Sequence, residues 1–190
     1  MTADGFLPEG YAPPVKEARY VKLVKGETRL RILSKPMLGW VAWTSDKGKK
    51  KPVRRPENTF KEGEYDPAQE PKHFWAMPVW DYAAGKVKVW ELTQVSIQKV
   101  LRGLSQNKKW GPPFDYDIVI QGTGDGMERE YSTVPEPKEP LDNAAADAWA
   151  LTQANGFSLK RLLEGGDPFS KAGESHEYVP VEEDGESIPF

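Results

Sequence analysis

Hydrophobic and polar positions alternate along much of the first two thirds of the chain, and the alternation predicts strands. Residues 19–33, RYVKLVKGETRLRIL, read as a strand, a turn near Gly26 and Glu27, and a second strand in which Arg29 and Arg31 alternate with Leu30 and Ile32. One face of that strand is apolar and the other basic. MLGWVAWT at 37–44 is a third aromatic and β-branched run, and HFWAMPVWDY and GKVKVWELT are two more, joined by the short connection Ala83-Ala84-Gly85. Pro78 argues for an edge strand or a bulge, because proline cannot donate to a ladder. From 93 to 107 the period changes: Val95, Ile97, Val100, Leu101 and Leu104 recur near 3.6 residues and predict a helix, with Thr93 or Ser96 available as its N-cap. Residues 114–121 and 127–134 then form a hairpin around GTGDG, whose glycines supply positive φ.

The remaining segments break these periods. Pro8, Pro13, Pro14, Gly5 and Gly10 make residues 1–18 an extended arm. DKGKKKPVRR at 46–55 is too polar and too rich in Gly and Pro for core, and is expected as a flexible basic loop. PEPKEPLDN is a linker, AAADAWALTQ has high helix propensity, and SLKRLLEGG reads as a short helical turn closed by glycine. From Ala172 onward there are six carboxylates and no Lys or Arg, so no core forms and disorder is expected.

Strands, one helix, then two further strands is the order of an OB-fold. The expectation is therefore a mainly β protein: an OB-fold-like five-stranded barrel with one inter-strand helix, a short C-terminal helical extension and a disordered acidic tail. The divisions are 1–18 (arm), 19–135 (barrel), 136–171 (linker and extension) and 172–190 (tail).

Composition sharpens this. A chain of 190 residues builds one good core. With no Cys there is no disulfide, thiolate zinc site or Cys nucleophile, and a reducing compartment fits. The start MTADGFLPEGYAPPV has no signal-peptide character and no apolar run is long enough to span a bilayer, so a soluble, cytoplasmic protein is expected. The net charge of −3 conceals a segregation: residues 1–110 hold 21 Lys and Arg against 12 Asp and Glu, whereas residues 111–190 hold 5 against 17. A basic body with an acidic end suits a polyanion-binding surface and a solvated tail.

Catalytic groups are sparse. His73 and His176 are the two histidines, and His176 falls in the predicted tail, which disfavours a triad or a two-histidine metal site. GTGDG lacks the following Lys-Ser or Lys-Thr of a phosphate loop and sits between strands, so it reads as a hairpin turn. Asp115 and Asp117 share a strand face but have no third ligand, and read as solvated surface. Neither a metal, a cofactor nor an enzymatic activity is expected.

Binding groups are abundant, with seven each of Trp, Tyr and Phe, many interleaved with cations. Arg29, Arg31, Trp40, Trp43, Lys72, Phe74, Trp75, Trp80, Tyr82, Lys86, Lys88, Trp90, Lys108, Lys109 and Trp110 all lie in or beside predicted strands and their connections. The segment 47–55 adds six cations without a carboxylate: Lys47, Lys49, Lys50, Lys51, Arg54 and Arg55. Stacking on unpaired bases combined with attraction to phosphates requires this mixture. Some of the tryptophans belong to the core. Alternation puts Trp40 and Trp43 on opposite faces, and likewise Trp75 and Trp80, without deciding which member faces a ligand.

The final residues, VEEDGESIPF, resemble the tail of bacterial single-stranded DNA-binding proteins, acidic residues followed by Ile-Pro-Phe. The stretches TRLRILSKPMLGWVAW, KHFWAMPVWDY, VWELTQVSIQKVL and WGPPFDYDIVI resemble phage-encoded single-stranded DNA-binding proteins. The resemblance implies a protein of the bacterial host cytoplasm that coats and protects single-stranded DNA during phage replication, recombination or repair with little sequence preference. It further implies that Asp184, Glu186, Ile188, Pro189 and Phe190 dock replication, recombination or repair proteins. The barrel sequence of the familiar bacterial protein is not evident, so its oligomeric state does not carry over. Two other functions fit the same residues: an RNA-binding or strand-annealing protein, and a β-rich phage structural or adaptor protein whose tryptophans are all core.

Overall fold

The computed structural model describes residues 18–170. The arm preceding residue 18 and the acidic tail with its Ile-Pro-Phe tip lie outside the described residues. The described residues form seven strands: β1 (Gly26–Ile32), β2 (Met37–Asp46), β3 (Lys49–Arg55), β4 (Lys72–Asp81), β5 (Lys86–Leu92), β6 (Ile118–Thr123) and β7 (Glu130–Pro135). Helix α1 (Val95–Gln106) separates β5 from β6, and α2 (Asn143–Ala154) follows β7.

All strand pairs are antiparallel, and the strands form one sheet in the order β3-β2-β4-β1-β6-β7, with β5 also paired to β4. The mainly β expectation holds, while the expected OB-fold-like five-stranded barrel is corrected to an open sheet of seven strands among the described residues. Closure of the body would require β5 to meet β7, and among the described residues these two strands do not pair.

Strand β4 is the spine. One of its edges pairs β5 from Trp75 to Asp81, while the other pairs β2 along residues 72–76 and β1 along residues 79–81. The sheet forks where β2 gives way to β1. Pro78 stands at that fork, and its carbonyl accepts the Leu33 N–H at 3.0 Å. A strand residue directs its N–H and C=O to the same side, so the donor that Pro78 lacks faces the gap. The expected edge strand is thereby corrected: Pro78 sits in the most interior strand, at its one opening.

Alternation along β4 divides the interior in two. Met77 and Val79 join Leu30, Ile32, Trp90, Leu92, Ile118, Ile120 and Tyr116 beneath Ile97 and Leu101 of α1. Phe74 and Ala76 face the other way and pack with Val41, Val89 and Leu162, flanked by Phe157 and Phe169. The C-terminal extension therefore covers the second face. In α1 the buried positions are Ile97, Gln98 and Leu101, whereas Val95 and Val100 are exposed. The core stripe is narrower than the apolar spacing predicts. Neither Thr93 nor Ser96 caps α1; Gln94 stands at the N-cap without a side-chain hydrogen bond. Asp142 caps α2 by accepting from Ala144 N–H at 2.7 Å. The turn at 159–164 ends on left-handed Gly165, as the sequence predicts.

Three further expectations change. Residues 19–25 form no paired strand beyond a bridge from Tyr20 to Val89. GTGDG is a hairpin connection, as expected, but the following strand begins only at Glu130, after a 3₁₀ turn over Gly126–Glu128. The segment expected as a flexible loop is strand β3.

Candidate nucleic-acid interface

The basic segment is ordered by its turn. Lys47 and Gly48 carry φ of 49° and 80°, and Asp46 pairs Lys49 across them. Two successive positive φ values define the two-residue turn whose twist matches antiparallel strands, and Gly48 takes one at no steric cost. Strand β3 then runs beside β2 from Lys49 to Arg55 as an edge of the sheet, where Pro52 is tolerated.

Pairing sorts the cations by face. Lys49, Lys51, Val53 and Arg55 share one face, while Lys50, Pro52 and Arg54 share the other. Arg54 is buried, and its Nε donates to Glu91 Oε2 at 2.8 Å. Lys50 lies 3.8 Å from Asp66. Arg55 is held by the following segment: a terminal nitrogen donates to Thr59 O at 2.9 Å and reaches Glu64 Oε2 at 3.2 Å, and its guanidinium lies 4.3 Å from the centroid of Phe60. The Lys61 backbone N–H and then Arg55 hold the Glu64 carboxyl below the ordinary carboxylate range.

Across the three strands, Arg55 pairs Trp40 and Trp40 pairs His73, making one transverse row. The Trp40 and His73 rings meet edge to face with centroids 5.3 Å apart. One step along the same face, Leu38 pairs Trp75, and Leu38 is 52% exposed. Gln98 of α1 donates to the carbonyls of His73 (3.3 Å) and Leu92 (2.9 Å), fixing the helix beside this patch. Gly39 lies on the reverse face, where an added Cβ would sit 2.7 Å from the Phe74 ring. That glycine leaves the room the Phe74 ring occupies against β2. The result is a shallow platform of half-buried aromatics, exposed at Leu38, beside a paired basic hairpin.

The other expected ligands are distributed elsewhere. Trp43 faces away from Trp40, with Val41. Arg31, Arg54, Phe74, Trp80 and Trp90 are buried, which corrects them from ligand contacts to interior groups. Lys88 is engaged by Asp81 at 2.7 Å. Trp110 packs edge to face on Tyr116 with centroids 5.2 Å apart, beside exposed Lys108 and Lys109 beyond the end of α1. Lys86 is exposed at the start of β5, and Lys72 is half-buried at the start of β4.

The expected basic face of β1 is an internal ion cluster. Asp117 is buried instead of solvated, and accepts from Arg29 Nε at 2.7 Å, from Arg31 Nε at 2.5 Å and from the Tyr82 hydroxyl at 3.0 Å. Arg31 also donates to Glu139 O at 3.1 Å, tying the linker to the body. The Arg29 guanidinium lies 4.8 Å from the Tyr82 centroid. The hydrogen bond to Asp117 raises the Arg29 pKa, and burial, then the bond to Asp117, raises that of Tyr82. Among the described residues, no group of three or more His, Cys, Asp or Glu is placed to hold a metal, and no helix is long and apolar enough to cross a membrane.

Sequence reasoning missed His73, Leu38 and Phe60. His73 was weighed for catalysis, although its place two residues before Trp75 on one strand puts both on the same face.

Fold and site together define a mainly β protein whose open antiparallel sheet presents an aromatic platform beside a cationic hairpin. The probable ssDNA-binding protein of Escherichia phage T5 is 28% identical to this chain over 136 residues, covering 59% of this chain and 52% of that protein. The match thus spans about half the length of that relative. No protein-family profile matches the chain, and no solved structure matches it.

Proposed function

We propose that this protein binds single-stranded DNA without catalysing a reaction, laying bases on the Trp40, His73, Trp75 and Leu38 platform while phosphates follow Lys47, Lys49, Lys51 and Arg55. The observation that carries the reading is the transverse row Arg55–Trp40–His73, which sets a cation and two half-buried ring systems side by side on one face of the sheet. Stacking is indifferent to sequence because every base has a π-face, and the adjacent cations supply attraction for the backbone. The likeness to the phage T5 protein supports the same ligand.

The body is read as an OB-fold opened along one seam: three strands β1, β4 and β5, helix α1, then β6 and β7, with the β2–β3 hairpin inserted after the first strand. In this reading the protein protects single strands in the host cytoplasm during phage replication, recombination or repair. Its tip at Asp184, Glu186, Ile188, Pro189 and Phe190 recruits the proteins that act on them. Titration with oligo-dT and with a duplex of equal length, followed by tryptophan fluorescence, tests the reading. Quenching by the single strand that weakens with salt is expected; an unchanged signal with both ligands at low salt overturns it.

A further inference from the structure

The fork beside Pro78 opens into a cleft of about 390 Å³ between the β1–β2 corner and the C-terminal extension. Its floor and walls include Met37, Pro78, Trp149 and Phe157, and Lys35 and Lys160 stand exposed at its margin. Among the described residues no carboxylate lines it, although the last 80 residues of the chain are strongly acidic. Neither lysine has an ion-pair partner among the described residues. Trp149 is half-buried, braced edge to face by Phe157 at 5.4 Å between centroids. An apolar floor, one braced indole and two unneutralised ammonium groups fit a flat heterocycle carrying a phosphate, and the volume falls in the range of small-ligand sites.

We infer that this cleft is a second nucleotide subsite for the same DNA strand, holding a base against Trp149 and its phosphate between Lys35 and Lys160. The inference rests on the proposed single-strand binding and extends its path. Leu38 ends the exposed platform, and its chain neighbour Met37 lines the cleft on the opposite face. No strand occupies the corner at residues 33–36. A DNA strand leaving the platform at Leu38 therefore passes round this corner into the cleft without crossing a β-ladder.

The test uses the full chain, the double variant Lys35→Glu/Lys160→Glu, and thymidine oligomers of about 4 and about 12 nucleotides, within the span of sites on such folds. Both substitutions are at exposed positions, so folding is retained. The variant is expected to bind the longer oligomer about tenfold more weakly and the shorter one unchanged. An iodouracil-substituted longer oligomer is expected to crosslink to Trp149. Unchanged affinity for the longer oligomer, with crosslinks confined to the Trp40 platform, overturns the cleft and leaves the platform standing. Failure of the wild-type chain to bind either oligomer instead overturns single-strand binding itself. A cleft that loses affinity for a peptide of residues 181–190 in the variant, and none for DNA, is a tail-docking site and also overturns the proposal.

Discussion

Arg31 of β1 and Asp117, the residue preceding β6, form an ion pair in which each side chain is 2% exposed and Nε lies 2.5 Å from Oδ1. Asp117 also serves Tyr82 and Arg29, whose side chain is 41% exposed, so removing the carboxylate leaves the buried Arg31 guanidinium without its charge partner. Loss of one partner from a buried ion pair leaves an uncompensated charge. Asp117→Ala is expected to destabilise the fold by about 3–5 kcal/mol in urea unfolding. Destabilisation below about 1 kcal/mol, the scale of exposed pairs, would show that the cluster is solvated.

Trp40→Ala tests the platform directly. Stacking contributes about 1–3 kcal/mol per base, so affinity for oligo-dT is expected to fall by about 5- to 150-fold with little change in the thermal midpoint, because Trp40 belongs to neither buried cluster. Trp90→Ala should do the reverse, since Trp90 is 1% exposed within the core. It is expected to cost about 3–5 kcal/mol of stability. Equal effects of the two changes on folding would remove the distinction between platform and core.

The hairpin is tested through salt. Neutralising Lys47, Lys49 and Lys51 together removes three cations, and each phosphate contact on a single strand contributes about 0.7 to the slope of log affinity against log salt. The triple alanine variant is expected to lower that slope by about 2. A slope identical to wild type would place the phosphates elsewhere.

Alkaline stability reports the interior near α1. Burial, followed by the nearby Asp115 charge, pushes the Tyr116 hydroxyl up to about 12 from an ordinary value of 10.0. The hydroxyl donates to Gly111 O at 2.7 Å. A raised folded value means that the native state retains a proton that the unfolded chain releases. The stabilisation is complete below about pH 10 and is lost between about pH 10 and 12. Unfolding free energy measured against pH should therefore decline through that window, and Tyr116→Phe should flatten the decline.

Gly39→Ala probes the packing under the platform. Its Cβ would meet the Phe74 ring at 2.7 Å and the Arg55 carbonyl at 2.9 Å. Such overpacking costs about 1–3 kcal/mol. A Gly39→Ala protein as stable as wild type would show that the Phe74 ring moves freely.

The order of elements was legible because it rests on period. Most of the strands, α1, the last hairpin and the C-terminal helical segments follow from spacing and breakers, although residues 19–25 do not form the expected strand. What was illegible depends on partners distant in sequence. DKGKKKPVRR resembles a loop until β2 is placed beside it, since a polar edge strand has no apolar face of its own to announce it. Arg29 and Arg31 look solvated until Asp117, 88 and 86 residues away, is brought opposite them. Val95 and Val100 share the helical spacing of core residues yet stay exposed, because only the line through Ile97, Leu101 and half-buried Leu104 reaches the sheet. Closure of a barrel could not be read from strand count, which is silent on whether β5 and β7 meet.

That β3 is a paired strand, turned by Lys47 and Gly48, fixes the cations at pleat spacing before any ligand arrives. A stiff cationic ruler demands compliance from what it measures. On the proposed binding mode, thymidine tracts are expected to settle onto it at little cost, whereas runs of adenines would first surrender their own stacking, a difference that oligo-dT and oligo-dA titrations would show. If DNA follows this edge as proposed, discrimination between single strands is expected to follow their stiffness more than the hydrogen-bonding edges of their bases.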